Sequence, residues 1–208
     1  MRILAFSDLH RDAAAARAIV DASRDADVVV GAGDFATQGV GASDTFSILR
    51  AISKPVVLVH GNHDDPDELA AFAEARTNRH YLNGSAITIG EVAFFGLGGE
   101  VPERNQAAWN AGLSEAKAGQ LLAACPHDVV LVCHTPPLGH CDTQRDGTHE
   151  GSAAILACVE RTRPSHVLCG HIHNSWGARS KVHSTLVHNV GPAAAWHIIG
   201  GRASRLSD

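Results

Sequence analysis

The sequence has little that would anchor it in a membrane, cross-link it or tie it to a polyanion. It has no apolar run of the ~18 residues that a membrane-spanning helix needs. The opening stretch, Met1-Arg2-Ile3-Leu4-Ala5-Phe6-Ser7-Asp8, turns polar after a short apolar run, too soon for the core of a secretory signal. Cysteine is sparse and odd in number, with five copies at 125, 133, 141, 158 and 169 and no C-x-x-C pair. A disulfide framework is therefore not expected, and a cytoplasmic location is. Basic residues are outnumbered, 17 Lys+Arg against 22 Asp+Glu, for a net charge of −5 with neutral histidines. Long nucleic acids, which call for a basic stripe, are not expected partners. Methionine and tyrosine occur once each, whereas histidine occurs 14 times. Neutral imidazole is the commonest metal ligand and the usual proton carrier near neutral pH, so this excess is the first sign of chemistry.

The 208 residues, 45% hydrophobic, suit one compact domain over 1–208 with a frayed tail from about Gly201. Short apolar, β-branched runs recur at 2–6, 27–30, 55–59, 91–95, 129–133, 166–169, 186–190 and 195–199. They read as strands covered on both faces. Helical patterns lie between them at 12–23, 43–52, 65–75, 114–125 and 152–163, with Asp12, Asp65, Ser114 and Ser152 placed as N-caps. The alternation gives an α/β class, with parallel βαβ units in the first half. Gly191-Pro192 reads as a hairpin or a tight sheet-to-sheet turn. The stretch Gly96–Gly112 has no clear period, and irregular loops of that length are usually functional or mobile.

The chemistry-bearing residues follow the strands. Asp8 and His10 come after the first and Asp34 after the second. Asn62, His63 and Asp64 come after the third, His134 after the 129–133 run, and His171 and His173 after the 166–169 run. Parallel strands put their carboxyl ends on one edge, where sites of α/β sheets form. Residues spread over most of the chain can therefore meet. Seven donors, Asp8, His10, Asp34, Asn62, His134, His171 and His173, fit two cations better than one, since a catalytic metal takes about four to six ligands and keeps a position open.

Asp8-Leu-His10, Gly33-Asp34, Gly61-Asn62-His63-Asp64, His134 and Gly170-His-Ile-His173, in that order, resemble the five blocks of the calcineurin-like metallophosphoesterases. Phe95-Gly-Leu-Gly-Gly99, His134-Thr-Pro-Pro-Leu-Gly139, His149-Glu-Gly-Ser152 and Asn189-Val-Gly191 are similar to the small bacterial branch related to the Icc cyclic-nucleotide phosphodiesterase. The resemblance implies a four-layer α/β/β/α sandwich with mixed sheets and a dinuclear site at the carboxyl edge of the strands. It places Asp8, His10 and His173 on one ion and Asn62, His134 and His171 on the other, with Asp34 bridging. The ions would be divalent transition metals, Mn or Fe first, then Zn or Ni. A hydroxide between them would attack phosphorus in line, and His63, unligated, would act as general acid on the leaving group. The protein phosphatases of that superfamily follow Gly-Asp with an Asp-Arg pair that grips phosphate. Here the run is Gly33-Asp-Phe-Ala-Thr-Gln-Gly39, which shifts the expectation toward a phosphodiesterase on a small phosphate ester.

A phosphomonoesterase and a non-catalytic scaffold are the alternatives, although a scaffold would be expected to lose His63 or a ligand. His149 and Ser152 are candidate substrate-binding residues, Ser152 being equally a plain helix cap. Asp64 either orients His63 or opens the next helix. Trp109 is a packing residue or a lid, and Glu100 has no assigned task. His60 is expected to be packed, His188 and Asn189 to back the site, and His80, His127, His183 and His197 to lie at the surface or an edge. Oligomeric state is not readable.

Overall fold

The computed structural model describes residues 1–200, so the tail expected to fray lies outside the described residues. The strands are β1 (Arg2–Phe6), β2 (Val28–Ala32), β3 (Val56–Val59), β4 (Arg79–Tyr81), β5 (Ser85–Ile89), β6 (Val92–Leu97), β7 (Val130–Cys133), β8 (His166–Cys169), β9 (Arg179–Val182), β10 (Thr185–Asn189) and β11 (Ala195–Ile198). The helices are α1 (Ala13–Ala22), α2 (Ala42–Leu49), α3 (Pro66–Glu74), α4 (Glu115–Leu122) and α5 (Ala153–Thr162).

Two mixed sheets form. One has the order β11-β1-β2-β3-β4 and the other β5-β6-β7-β8-β10-β9. In the first, β1 to β4 run parallel and β11 lies antiparallel on β1. In the second, β6, β7, β8 and β10 run parallel, and the edge strands β5 and β9 are antiparallel. The Gly191-Pro192 turn thus carries the chain from one sheet to the other rather than closing a hairpin. The three strands not anticipated from sequence, β4, β5 and β9, are all edge strands with polar, partly exposed residues. An edge strand lacks the continuous apolar signature of a covered one.

Strand side chains alternate between faces, and here both faces are buried. Leu4 and Phe6 of β1, with Val29 and Leu58, pack under α1, α2 and α3 against Ile19, Phe46 and Leu69. Ile3 and Ala5, with Val28, Val30 and Val57, face the second sheet and meet Phe94, Val130, Val132 and Leu168. The far face of that sheet, including Leu131, Cys133, Val167 and Cys169, packs on Leu122, Ile155 and Val159 of α4 and α5. Three cores separate four layers, the α/β/β/α arrangement expected. Cys133 and Cys169 are fully buried there and behave as small apolar side chains.

His197 lies at an edge, as expected, but not at the surface. It lies on the edge strand β11, yet its ring turns into the space between the sheets, 5% exposed, with its Nε2 3.1 Å from Nδ1 of His188. Burial holds both imidazoles below their ordinary range, His188 at about 4 and His197 at about 3. Among the described residues no helix is long and apolar enough to cross a membrane.

Candidate metal centre

The strand ends deliver the expected residues to one place. Asp8 leaves β1, and its carboxylate accepts the backbone N–H of His171, which follows β8 in the other sheet, at 3.1 and 3.2 Å. Asp34 leaves β2, and its Oδ2 lies 3.4 Å from Nε2 of His10 and 3.4 Å from Nε2 of His134. Nε2 of His10 is 3.1 Å from Nε2 of His173, and Nε2 of His134 is 3.2 Å from Oδ1 of Asn62. One carboxylate oxygen therefore stands between two groups of donors, Asp8, His10 and His173 on one side and Asn62 and His134 on the other. Asp8–His10–His173, His10–Asp34–His63 and Asp8–Asp34–His134 each bring potential ligand atoms within 4.8 Å of one another. The ring of His171 lies beside that of His134, centroids 5.0 Å apart.

The hydrogen bonds show why these donors suit a cation. Nδ1 of His10 faces the Ala36 carbonyl at 3.2 Å, and Nδ1 of His134 faces the Ala32 carbonyl at 2.7 Å. A carbonyl only accepts, so each ring keeps a proton on Nδ1 and turns Nε2 inward, where it can accept once it carries no proton of its own. Asp34 Oδ2 and Asn62 Oδ1 are acceptors as well. Two ring nitrogens, a carboxylate and an amide oxygen converging with His134 Nε2 unprotonated are the donor set a divalent ion requires.

The backbone is shaped for this convergence. Asp8, His10, Asp34 and His171 all hold left-handed φ values, 53°, 44°, 59° and 67°. Such φ values are uncommon for residues with a side chain and cluster at functional sites. A Cβ at Gly61 would overlap the Asp34 carboxylate, so only glycine lets the β2 and β3 loops meet there. Asp64 performs neither role expected of it. Its buried carboxylate accepts the N–H groups of Asp34, Ala36 and Gly61, each at 2.8 Å, and clips those two loops together. Burial and the neighbouring Asp34 push it up to about 6.

Burial alone would raise Asp34, but the imidazoles of His134, His63 and His10 outweigh it and hold its carboxyl well below the usual carboxylate range. Burial likewise disfavours charge on His134, yet Asp34 pushes it up to about 10. The pair therefore favours a proton on His134 beside the ionised Asp34, which a cation bound there would displace. Metal uptake near neutral pH is therefore expected to release a proton, and affinity to rise with pH, by up to ~10-fold per unit below that pKa. Titration calorimetry in buffers of different ionisation enthalpy measures the release. A pH-independent affinity with no proton released would contradict the pairing.

His63 sits at the rim of this group, its ring edge-on to His10 with centroids 4.9 Å apart. Its Nδ1 accepts the backbone N–H of Gln38 at 2.8 Å. The neutral ring therefore carries its single proton on Nε2. Burial holds its pKa below the ordinary histidine range, which favours that neutral form. Trp109 stacks on His63, centroids 4.6 Å apart and planes 28° from parallel.

Of the other candidates, Ser152 is fully buried and caps α5, accepting from Ile155 N–H and donating to Glu115, so its hydroxyl is engaged inside the fold. His149 is half exposed and pairs with the buried Asp142 at 2.7 Å. His60 is packed as expected and bonded to the Tyr81 hydroxyl, and Asn189 donates to the Gly170 and Ile172 carbonyls of the loop after β8 and to the Cys141 carbonyl between β7 and α5. Ser7 and Trp176, which sequence reasoning did not single out, both donate to Asp8 Oδ2, at 2.5 and 3.1 Å. Ser7 adjoins Asp8, but nothing in the local pattern marks Trp176.

Comparison with known proteins shows the family. The model of the calcineurin-like phosphoesterase superfamily domain matches residues 1–201. UPF0046 protein K07C11.7 of Caenorhabditis elegans is 30% identical over 189 residues, 79% of this chain and 62% of that protein, so this chain spans less than two thirds of its relative. TT1561 of Thermus thermophilus has the same fold, with a TM-score of 0.74, 20% identity, and 91% of this chain and 88% of that one covered. So has a dimetal phosphatase from Danio rerio, with a TM-score of 0.63, 16% identity, and 93% and 90% covered. A match over nearly the whole length, on a chain whose strand ends gather this donor set, makes the protein a member of the calcineurin-like phosphoesterase superfamily.

Proposed function

We propose that this chain is a hydrolase of small phosphate esters that works with two divalent cations, Mn or Fe by preference and Zn or Ni as substitutes. The observation that carries the reading is the single Asp34 oxygen set 3.4 Å from imidazole nitrogens of both donor groups. Asp8, His10 and His173 would hold one cation, Asn62, His134 and His171 the other, and Asp34 both. Bound there, such a pair supplies Lewis-acid stabilisation of the phosphoryl oxygens and acidifies a water.

The chain's own groups do the rest. The Ala36 and Ala32 carbonyls hold the His10 and His134 rings, so these two ligands are already oriented. His63 presents Nε2–H to the leaving oxygen. The backbone N–H of Gln38 occupies Nδ1, so His63 acts as a neutral hydrogen-bond donor to the developing charge rather than as a doubly protonated acid. Trp109 covers one face of the ring and keeps it from turning.

We read the substrate as a phosphodiester, because Thr37 and Gln38 stand where a phosphate-gripping Asp-Arg pair would be. A diester carries one negative charge fewer than a dianionic monoester and needs less cationic side-chain support. With Mn²⁺ the purified protein is expected to hydrolyse bis-p-nitrophenyl phosphate faster than p-nitrophenyl phosphate, and a chelator to abolish both activities. Failure of Mn, Fe, Ni and Zn alike to support turnover would overturn the enzyme reading. A faster monoester would leave the hydrolase and reverse the substrate preference.

A further inference from the structure

The irregular stretch after β6 contains two residues whose hydrogen bonds run into the site. Asn110 Nδ2 donates to Glu100 Oε2 at 3.0 Å and to the Asn105 carbonyl at 2.7 Å. Neither partner can donate in return, so the Asn110 amide cannot be turned around: its NH₂ must face them and its Oδ1 must face the other way. There it meets Nδ2 of Asn62 at 2.9 Å. Asn62 must therefore donate to Asn110 and point its own Oδ1 at His134 Nε2, 3.2 Å away, where a cation belongs.

Glu100 anchors the chain of amides. It is 6% exposed, and its Oε2 also accepts the backbone N–H of Arg104 at 2.9 Å. Its other oxygen, Oε1, is 3.7 Å from Nε2 of His171. A ligating imidazole commonly turns its second nitrogen toward a carboxylate, which fixes its orientation. One buried carboxylate thus faces both Asn110, which sets Asn62, and His171 itself.

We infer that Glu100 and Asn110 are positioning residues for the second cation: they fix which atom Asn62 presents and back the ring of His171. The inference rests on the two-cation reading above. The loop is held in place for this task by backbone bonds from Ala111 N–H to the Asn62 carbonyl at 2.9 Å and from Gly99 N–H to the His60 carbonyl at 2.9 Å. It serves as a brace for the ligand set.

The test is metal binding by Glu100→Gln and Asn110→Ala, read by Mn²⁺ titration, elemental analysis and electron paramagnetic resonance, with the melting of each metal-free variant measured alongside. Gln keeps the size of Glu100 but offers an NH₂ group that can reverse the amide chain. Ala removes the acceptor that Asn62 needs. In both variants the first Mn²⁺ is expected to bind as in wild type and the second about 10- to 100-fold more weakly. At one to two equivalents, the signal of a coupled manganese pair should give way to that of isolated Mn²⁺. Wild type holding two ions, with both variants holding two at the same affinities, overturns the inference alone, even if their melting falls. A wild-type chain that never holds more than one ion overturns the two-cation reading and the inference with it.

Discussion

Asp34→Asn is expected to lower hydrolysis of bis-p-nitrophenyl phosphate by about a thousandfold or more, which corresponds to ~4 kcal/mol of lost transition-state stabilisation. The change is isosteric. Asparagine can keep the acceptor Oδ1 that receives the His63 backbone N–H at 2.9 Å, so the loop should hold its shape. The loss falls on the other atom. Oδ2 becomes an NH₂ group aimed at the Nε2 atoms of His10 and His134, each 3.4 Å from it in the native chain. A donor then sits beside those ring nitrogens, and the charge that would bind both cations is gone. Initial rates, metal content and thermal unfolding measured together decide the matter. A folded variant that retains two ions and more than a tenth of the native rate would show that Asp34 is not shared between them.

His63→Ala should behave differently, keeping the metals and losing rate according to the leaving group. Removing one preorganised donor to a developing oxyanion costs about 10²–10³-fold. That cost should appear in full with an alkyl leaving group, whose departing oxygen carries a concentrated charge. With p-nitrophenolate, which disperses its charge into the ring, only a few-fold loss is expected. Because Gln38 N–H fills Nδ1, the native enzyme's rate should not fall as pH rises through the ordinary histidine range. His63 does stand within ligand distance of His10 and Asp34. If the variant loses a cation, His63 is a ligand and the role given to it here is wrong. Equal losses with both leaving groups would remove it from leaving-group chemistry.

What could be read from the sequence and what could not differ for a physical reason. Asp8, Asp34, Asn62, His134 and His171 each come within a few residues of the end of a buried parallel strand. Strand direction alone then carries them to a common edge, and apolar periodicity reveals the strands. Glu100 and Asn110 lie on a segment without period. Their partners depend on the path of that segment, which is set by scattered backbone bonds to the β3 loop and by no local pattern. Trp176 reaches Asp8 from 168 residues away for the same reason. Asp64 could be assigned to the right region but not to the right task, because its three backbone donors belong to two different loops. Ser152 is legible as a cap, and the structure uses it as one.

The left-handed backbone at Asp8, His10, Asp34 and His171 bears on how the cell chooses an ion. Conformations of that kind cost of order 1–3 kcal/mol each and persist only where the surrounding fold enforces them. Backbone bonds from Asp8 N–H to the Gly33 carbonyl and from His10 N–H to the Asp34 carbonyl, each at 2.9 Å, hold two of them, so the fold itself meets that cost. Divalent ions of similar size then find the same ready cradle, and the protein exerts little discrimination by reshaping itself around one of them. On the two-cation reading, cellular supply at the time of synthesis, more than the ranking of affinities, would then decide which element the chain carries.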